Sequence, residues 1–162
     1  MMDRAGLEKA VVSGEIDTVL TVFPDMYGRL VGKRITGHFF LSEIIDGGMH
    51  ACDYLLACDM EMDPVPGYEF TSWDDGYGDF HARPDLATLR RASWLDRTAL
   101  VVCDLVDEEN GEPVEVAPRT ILARQVERAR QQGFTVKVGS ELEFFLLADD
   151  LEAAEAKGFT DI

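Results

Sequence analysis

The stretch VGSELEFFLL, residues 138–147, restricts the fold more than any other part of the chain. Val138, Leu142, Phe144, Phe145, Leu146 and Leu147 are apolar, so the run reads as a buried strand. Glu141 and Glu143 interrupt it. An unpaired carboxylate in such a run costs several kcal/mol or is driven to its neutral form, so the two acids call for a compensating partner. Side chains at i and i+2 share one face of a strand, about 6.5–7 Å apart along the backbone. Glu141 and Glu143 therefore project together, with Leu142 and Phe144 turned towards a core. Two readings stand at this point. One is a pair of divalent ions about 3.5–4 Å apart with one glutamate on each, where oxygen-only ligands favour Mg²⁺ or Mn²⁺ over zinc. The other is an edge strand carrying two solvated glutamates.

The segment ahead of this strand predicts a helix. In APRTILARQVERARQQG, Pro118 suits the first turn and Gly133 the position past the end. Ile121, Leu122, Val126 and Ala129 make its apolar stripe. FTVKVGSELEFFLL follows as a strand pair or one strand bent at Gly139, and DDLEAAEAKGFTDI adds a short helix. One helix and its strand cannot bury two faces of a sheet, so 113–162 is expected to be the beginning of a domain, incomplete in this chain.

Residues 1–112 are expected to form an α+β unit on a mixed sheet. Asp3 to Ser13 reads as a helix with Leu7, Ala10 and Val11 on one stripe and Asp3 as its cap. Ile16 to Phe23 and the run from Arg29 to Phe40 read as a hairpin turned at Pro24–Gly28. Leu41 to Gly48 reads as a short helix capped by Ser42, and Tyr54 to Asp59 as a short strand. A long loop bearing Tyr68, Phe70, Trp73, Tyr77 and Phe80 follows. Two strands come next, ATLRRASW and TALVVCDLVD, then an acidic turn at Asn110-Gly111.

Composition narrows the partners. Against 15 Lys and Arg stand 31 acids, a formal charge of −16, which repels phosphate backbones and argues against nucleic acid. The three cysteines include no C-x-x-C pair, so buried reduced thiols are expected rather than disulfides. MMDRAGLEKA lacks the apolar core of a signal peptide, and no apolar run reaches membrane-spanning length, so a soluble cytoplasmic protein is expected. Arg119 is expected to pair near the start of its helix. His38 and His81 are expected to take surface or hydrogen-bonded roles, and Arg29, Lys33 and Arg34 to form a solvated basic hairpin.

VKVGSELEFFLL resembles the G-x-E-x-E-F-F-L strand of the glutamine synthetase superfamily. Other motifs fall in the family's order. GRLVGKRIT resembles its early G-R-x-x-G-K strand, GDFHARPDLATLRRASWLDRTALVVCDL its P-D-x-x-T…C-D stretch, and VAPRTILAR the D-P-R-x-x-L-x-R that opens its catalytic domain. AEAKGFTDI looks most like the branch that includes γ-glutamylpolyamine synthetases.

The resemblance implies a β-grasp-like domain over 1–112 and the start of the catalytic α+β domain over 113–162. It implies an ATP-dependent ligase joining glutamate to ammonia or a primary amine through a γ-glutamyl phosphate, in a homo-oligomeric ring. Glu141 and Glu143 would each hold one Mg²⁺ or Mn²⁺ ion, which would screen the ATP charge and act as a Lewis acid. Asp79 matches an aspartate that binds and deprotonates the incoming ammonium in a neighbouring subunit, and Asp59 lies near a second such acid. The family's most familiar form of the loop around Asp59 is absent, which favours a primary amine. Trp73 and Tyr77 would then either line an amine pocket by cation–π contact or tack the loop to the body. The family's other metal ligands, ATP-binding residues and glutamate-binding arginines have no counterpart here, so the chain is expected to be truncated and inactive alone. The alternative is a non-catalytic module that binds or modulates a full-length ring.

Overall fold

A computed structural model describes residues 2–74 and 76–161. Helix α1, Arg4–Val12, is capped by Asp3, whose carboxylate accepts from the Gly6 amide at 2.8 Å. Leu7, Ala10 and Val11 are its buried stripe, as the spacing predicts. Strands β1, Thr18–Pro24, and β2, Leu30–Thr36, form the expected hairpin. Asp25 builds the turn: its Oδ1 accepts from the Tyr27 and Arg29 amides at 2.9 and 2.8 Å.

A helical run over 37–47, α2, begins ahead of the predicted start at Leu41 and has π-helical geometry over Phe40–Ile44. Ser42 is thus inside the helix, not its cap, and its hydroxyl donates back to the Phe39 carbonyl. Strand β3 is Met49–Cys52, and the predicted strand at 54–59 is instead a 3₁₀ turn, Asp53–Leu56, leading into the loop. Asp53 explains the change. Its carboxylate accepts from the Thr71 hydroxyl at 2.7 Å and the Gly78 amide at 3.1 Å, anchoring both ends of the loop's second half. Strands β4, Asp79–Arg91, and β5, Thr98–Asp107, complete one sheet of order β2-β1-β5-β4-β3. It is mixed: β1 and β5 are parallel and the other neighbours antiparallel.

β5 is central and buried from Thr98 to Val106 except at Asp104. Its alternation sends Ala99, Val101, Cys103 and Leu105 into the main core with α1, α2, Phe23 and Phe80. Leu100 and Val102 face the other way and join Val22 and Ala92 in a smaller cluster. Burial of each large side chain contributes about 1.5–3 kcal/mol. The sheet is rolled enough for its edge strands to touch: Lys33 on β2 donates to the carbonyl of His50 on β3 at 2.7 Å. Arg29 reinforces this, binding Asp25 through Nε and the carbonyls of Asp59 and Met60 through Nη2 and Nη1. It is a cross-tie, not part of a freely solvated basic hairpin.

Helix α3, Pro118–Gln131, starts and stops at the predicted residues, but Ile121, Leu122 and Val126 lie exposed. The expected strand over 138–147 does not form. Residues 134–147 have neither helix nor strand, and Phe144 and Phe145 are 84% and 94% exposed. An apolar strand is stable only when a neighbour takes its backbone hydrogen bonds and a layer covers its face. β5 is already flanked on both sides, and no strand among the described residues pairs with this run. The short helix α4, Leu151–Ala156, is capped by Asp150. No helix among the described residues is long and apolar enough to cross a membrane.

Candidate functional site

The β3–β4 register builds a polar cluster at one end of the sheet. His50 pairs with His81, and Cys52 pairs with Asp79. Phe80 and Ala51 turn inward and are buried, so the alternating neighbours His50 and Asp79 turn outward and are exposed. They are diagonal neighbours on one face. Glu108 joins them from the turn after β5. That turn is pinned by Asp107, whose Oδ1 accepts from the Glu109 and Asn110 amides at 3.0 Å each.

Ligand atoms of His50, Asp79 and Glu108 lie within 4.8 Å of one another. The His50 Nδ1 to Glu108 Oε1 distance is 3.3 Å. The ring of His81 stacks on that of His50 with centroids 5.0 Å apart and planes 3° apart. Asp79 is singled out in the sequence only for an amine-binding role, and nothing in the sequence singles out His50 or Glu108. The residues are too far apart in the chain for spacing to join them, and only the cross-strand register does so.

Asp59 plays a visible local role. Its Oδ1 accepts from the Glu61 and Asp63 amides at 2.9 and 3.0 Å, closing a turn. It does not join the cluster around Asp79. Glu141 and Glu143 lie on the exposed irregular segment, and among the described residues neither belongs to a group of three metal-ligating side chains. Two carboxylates without a third donor do not fit a Mg²⁺ or Mn²⁺ centre by themselves.

Trp73, Tyr77 and Tyr54 form a chain of edge-to-face rings, each step 5.6 Å between centroids. Tyr54 and Tyr77 are half-buried, so they fasten the loop to the body, while Trp73 is 81% exposed.

Arg119 departs from the local pairing expected of it. It reaches from the first turn of α3 to the sheet, donating from Nε to Asp104 and from Nη2 to Asp85, both at 2.7 Å. Burial lowers its pKa, but the hydrogen bonds and charges of the two aspartates more than offset this and hold it above the usual value. Beside this tie runs a groove of about 880 Å³ between the end of β5 and α3, lined in part by Val106, Pro113, Glu115 and Arg124. None of Asp59, Asp79, Glu141 and Glu143 lines it. The cysteines are free: Cys58 and Cys103 are buried and Cys52 half-buried. Burial pushes the Cys103 thiol up to about 12 and raises that of Cys58, which suits packing rather than nucleophilic chemistry.

A family model described as the catalytic domain of glutamine synthetase matches residues 115–161. The chain is 52% identical over 148 residues to the γ-glutamylethanolamide synthetase GlnA4 of Streptomyces coelicolor, covering 91% of this chain and 32% of that protein. It is 35% identical over 147 residues to a glutamate–isopropylamine ligase of a Pseudomonas species, with the same two coverages, 91% and 32%. The chain thus spans about a third of the length of these curated relatives. Among solved structures, a GmaS/ADP complex is similar at a TM-score of 0.57 and 22% identity, covering 82% of this chain and 26% of that one. A structure of a novel glutamine synthase homolog is similar at a TM-score of 0.59 and 21% identity, covering 72% and 27%. At such identities the structural likeness speaks to the fold.

Proposed function

This chain belongs to the glutamine synthetase superfamily, and from that premise we propose that it forms the β-grasp-like portion and the opening of the catalytic domain of an ATP-dependent glutamate–amine ligase. The observation that carries this reading is the 52% identity to a γ-glutamylethanolamide synthetase over 91% of the chain. A small primary amine is the favoured acceptor, because the two curated relatives described above are named for ethanolamide and isopropylamine products or substrates.

In this proposal the division falls at 112/113, and the first part supplies Asp79 to the amine's approach. Asp79 is exposed and stands at the rim of the sheet beside Glu108, so it presents negative charge to a protonated amine and has an oxygen to accept its proton. Asp59 shapes the neighbouring loop by capping its turn. Glu141 and Glu143 are two donors of a larger Mg²⁺ or Mn²⁺ ligand set, and the chemistry that set supplies is charge screening at ATP. Two carboxylates do not complete such a set, so in this proposal Glu141 and Glu143 act together with the remaining ligands of a complete ligase. The exposed apolar residues of α3 and of 138–147 fit a place within such a ligase.

The test is a chimera in which this chain replaces the matching third of the γ-glutamylethanolamide synthetase relative. Phosphate release is measured with ethanolamine, isopropylamine, putrescine and ammonium. The expected result is turnover with a primary amine that falls ~100-fold or more on Glu141→Gln or Glu143→Gln, since groups that merely orient metal ligands are worth 10–100-fold. A folded, ATP-binding chimera that releases no phosphate with any amine would refute the reading.

A further inference from the structure

We propose that His50, Asp79 and Glu108 form a binding site for a divalent transition-metal ion of the zinc class. The ion would clip β3, β4 and the turn after β5 together at one end of the sheet.

Three observations carry this. The first is donor geometry. Metal–donor bonds of 2.0–2.2 Å at tetrahedral angles put donor atoms roughly 3.3–3.6 Å apart. His50 Nδ1 and Glu108 Oε1 are already 3.3 Å apart, and all three donors lie within 4.8 Å of one another. Closing on an ion needs only side-chain adjustment.

The second is preorganisation. The donors come from three backbone segments whose relative positions are set by the β3–β4 and β4–β5 registers and by the Asp107-pinned turn. His81 stacked on His50 holds the ring plane, and Lys33 holds the His50 carbonyl.

The third is charge. Two carboxylates brought this close repel each other unless a cation lies between them. A protonated imidazole supplies one positive charge, whereas a divalent ion on neutral imidazole balances both. An imidazole donor also selects zinc-class ions over Mg²⁺ or Ca²⁺, which prefer oxygen. The donor set gives three protein ligands and leaves the remaining position to water. An ion here would neutralise Asp79, so the ion and a protonated amine exclude each other at this carboxylate.

The inference rests on this cluster and not on the ligase reading. It is tested by titrating the purified metal-free protein with Zn²⁺ in a calorimeter and with Co²⁺ by absorption spectroscopy. One ion per chain is expected, with a Co²⁺ spectrum of four- or five-coordinate type and a raised Tm in Zn²⁺. His50→Ala and Glu108→Gln should each weaken binding at least ~10-fold and abolish the Tm rise. Glu108→Gln preserves the size of a side chain on a turn pinned by Asp107, so it guards against loss of fold in the histidine variant. Glu141→Gln/Glu143→Gln should leave this ion in place. Absence of stoichiometric binding at millimolar Zn²⁺ would overturn the inference. So would binding that both His50→Ala and Glu108→Gln leave unchanged.

Discussion

Arg119 Nη2 and Asp85 Oδ2 meet at 2.7 Å, tying the first turn of α3 to β4. Arg119 Nε binds Asp104 on β5 at the same distance, so one guanidinium spans two strands of the sheet. No residue of α3 is fully buried, and this fork is a polar tie between the helix and the sheet. The groups are partly exposed, which places the pair near the upper end of surface ion-pair energies. Arg119→Ala should lower stability by about 1 kcal/mol in urea melts, and Arg119→Lys should restore only part, because an ammonium cannot fork to two carboxylates. A lysine variant as stable as the parent would show that charge alone matters.

Cys103 should be inert in the folded protein. Burial lifts its thiol from the ordinary 9.0 to about 12. At pH 8 a thiol reagent should label half-buried Cys52 first and leave Cys103 unlabelled until denaturant is added. The same shift sets a sign for stability. Between about pH 9 and 12 the unfolded chain has released this proton and the folded chain retains it. The folded state then binds more protons, so this group makes stability fall as pH rises through that window. Labelling of Cys103 at the rate of Cys52 under native conditions would contradict its burial.

Gly48 and Gly47 provide a matched pair of substitutions. Gly48 has φ +73, and a Cβ there would collide with His81 Nε2 and come within 2.8 Å of the Ala82 carbonyl oxygen. Gly47 has open space around the equivalent position. Gly48→Ala should therefore cost about 1–3 kcal/mol and displace the His81 ring from His50. Gly47→Ala, within helix α2, should be neutral or stabilising by up to about 1 kcal/mol. Equal thermal midpoints for the two variants would mean that the helix end relaxes away from the strand.

Much of the sheet was legible because its determinants are local. Leu7, Ala10 and Val11 carry a helical period, Asp3 is a cap, and the apolar run over 99–106 predicts β5. What escaped the sequence is set by long-range geometry. The partners of Arg119, Asp85 and Asp104, lie on strands that only tertiary packing brings to the start of α3. Asp53 turned a predicted strand into a 3₁₀ turn by bonding residues 18 and 25 positions away. The cluster of His50, Asp79 and Glu108 depends on which strands are neighbours, which alternation alone does not reveal. Conversely, VGSELEFFLL carries a strand pattern, but a strand also needs a partner, and none among the described residues supplies one.

That exposed run supports the last prediction. Residues 134–147 make no helix or strand, whereas every strand of the sheet is held to a neighbour by a backbone ladder. Brief chymotrypsin treatment should therefore cut first at Phe144, Phe145 or Leu146 and leave the sheet intact by circular dichroism. An exposed run and a docked strand predict different mutational costs. If Phe144 is exposed, as here at 84%, Phe144→Ala should change stability by no more than about 0.5 kcal/mol and should reduce aggregation by removing exposed apolar area. If the run instead docks as the buried strand its sequence suggests, the same substitution should cost about 3–5 kcal/mol. In that case the first cleavages should fall elsewhere. A urea melt of Phe144→Ala separates these outcomes, and a multi-kcal/mol loss would show that the segment is packed in the isolated protein.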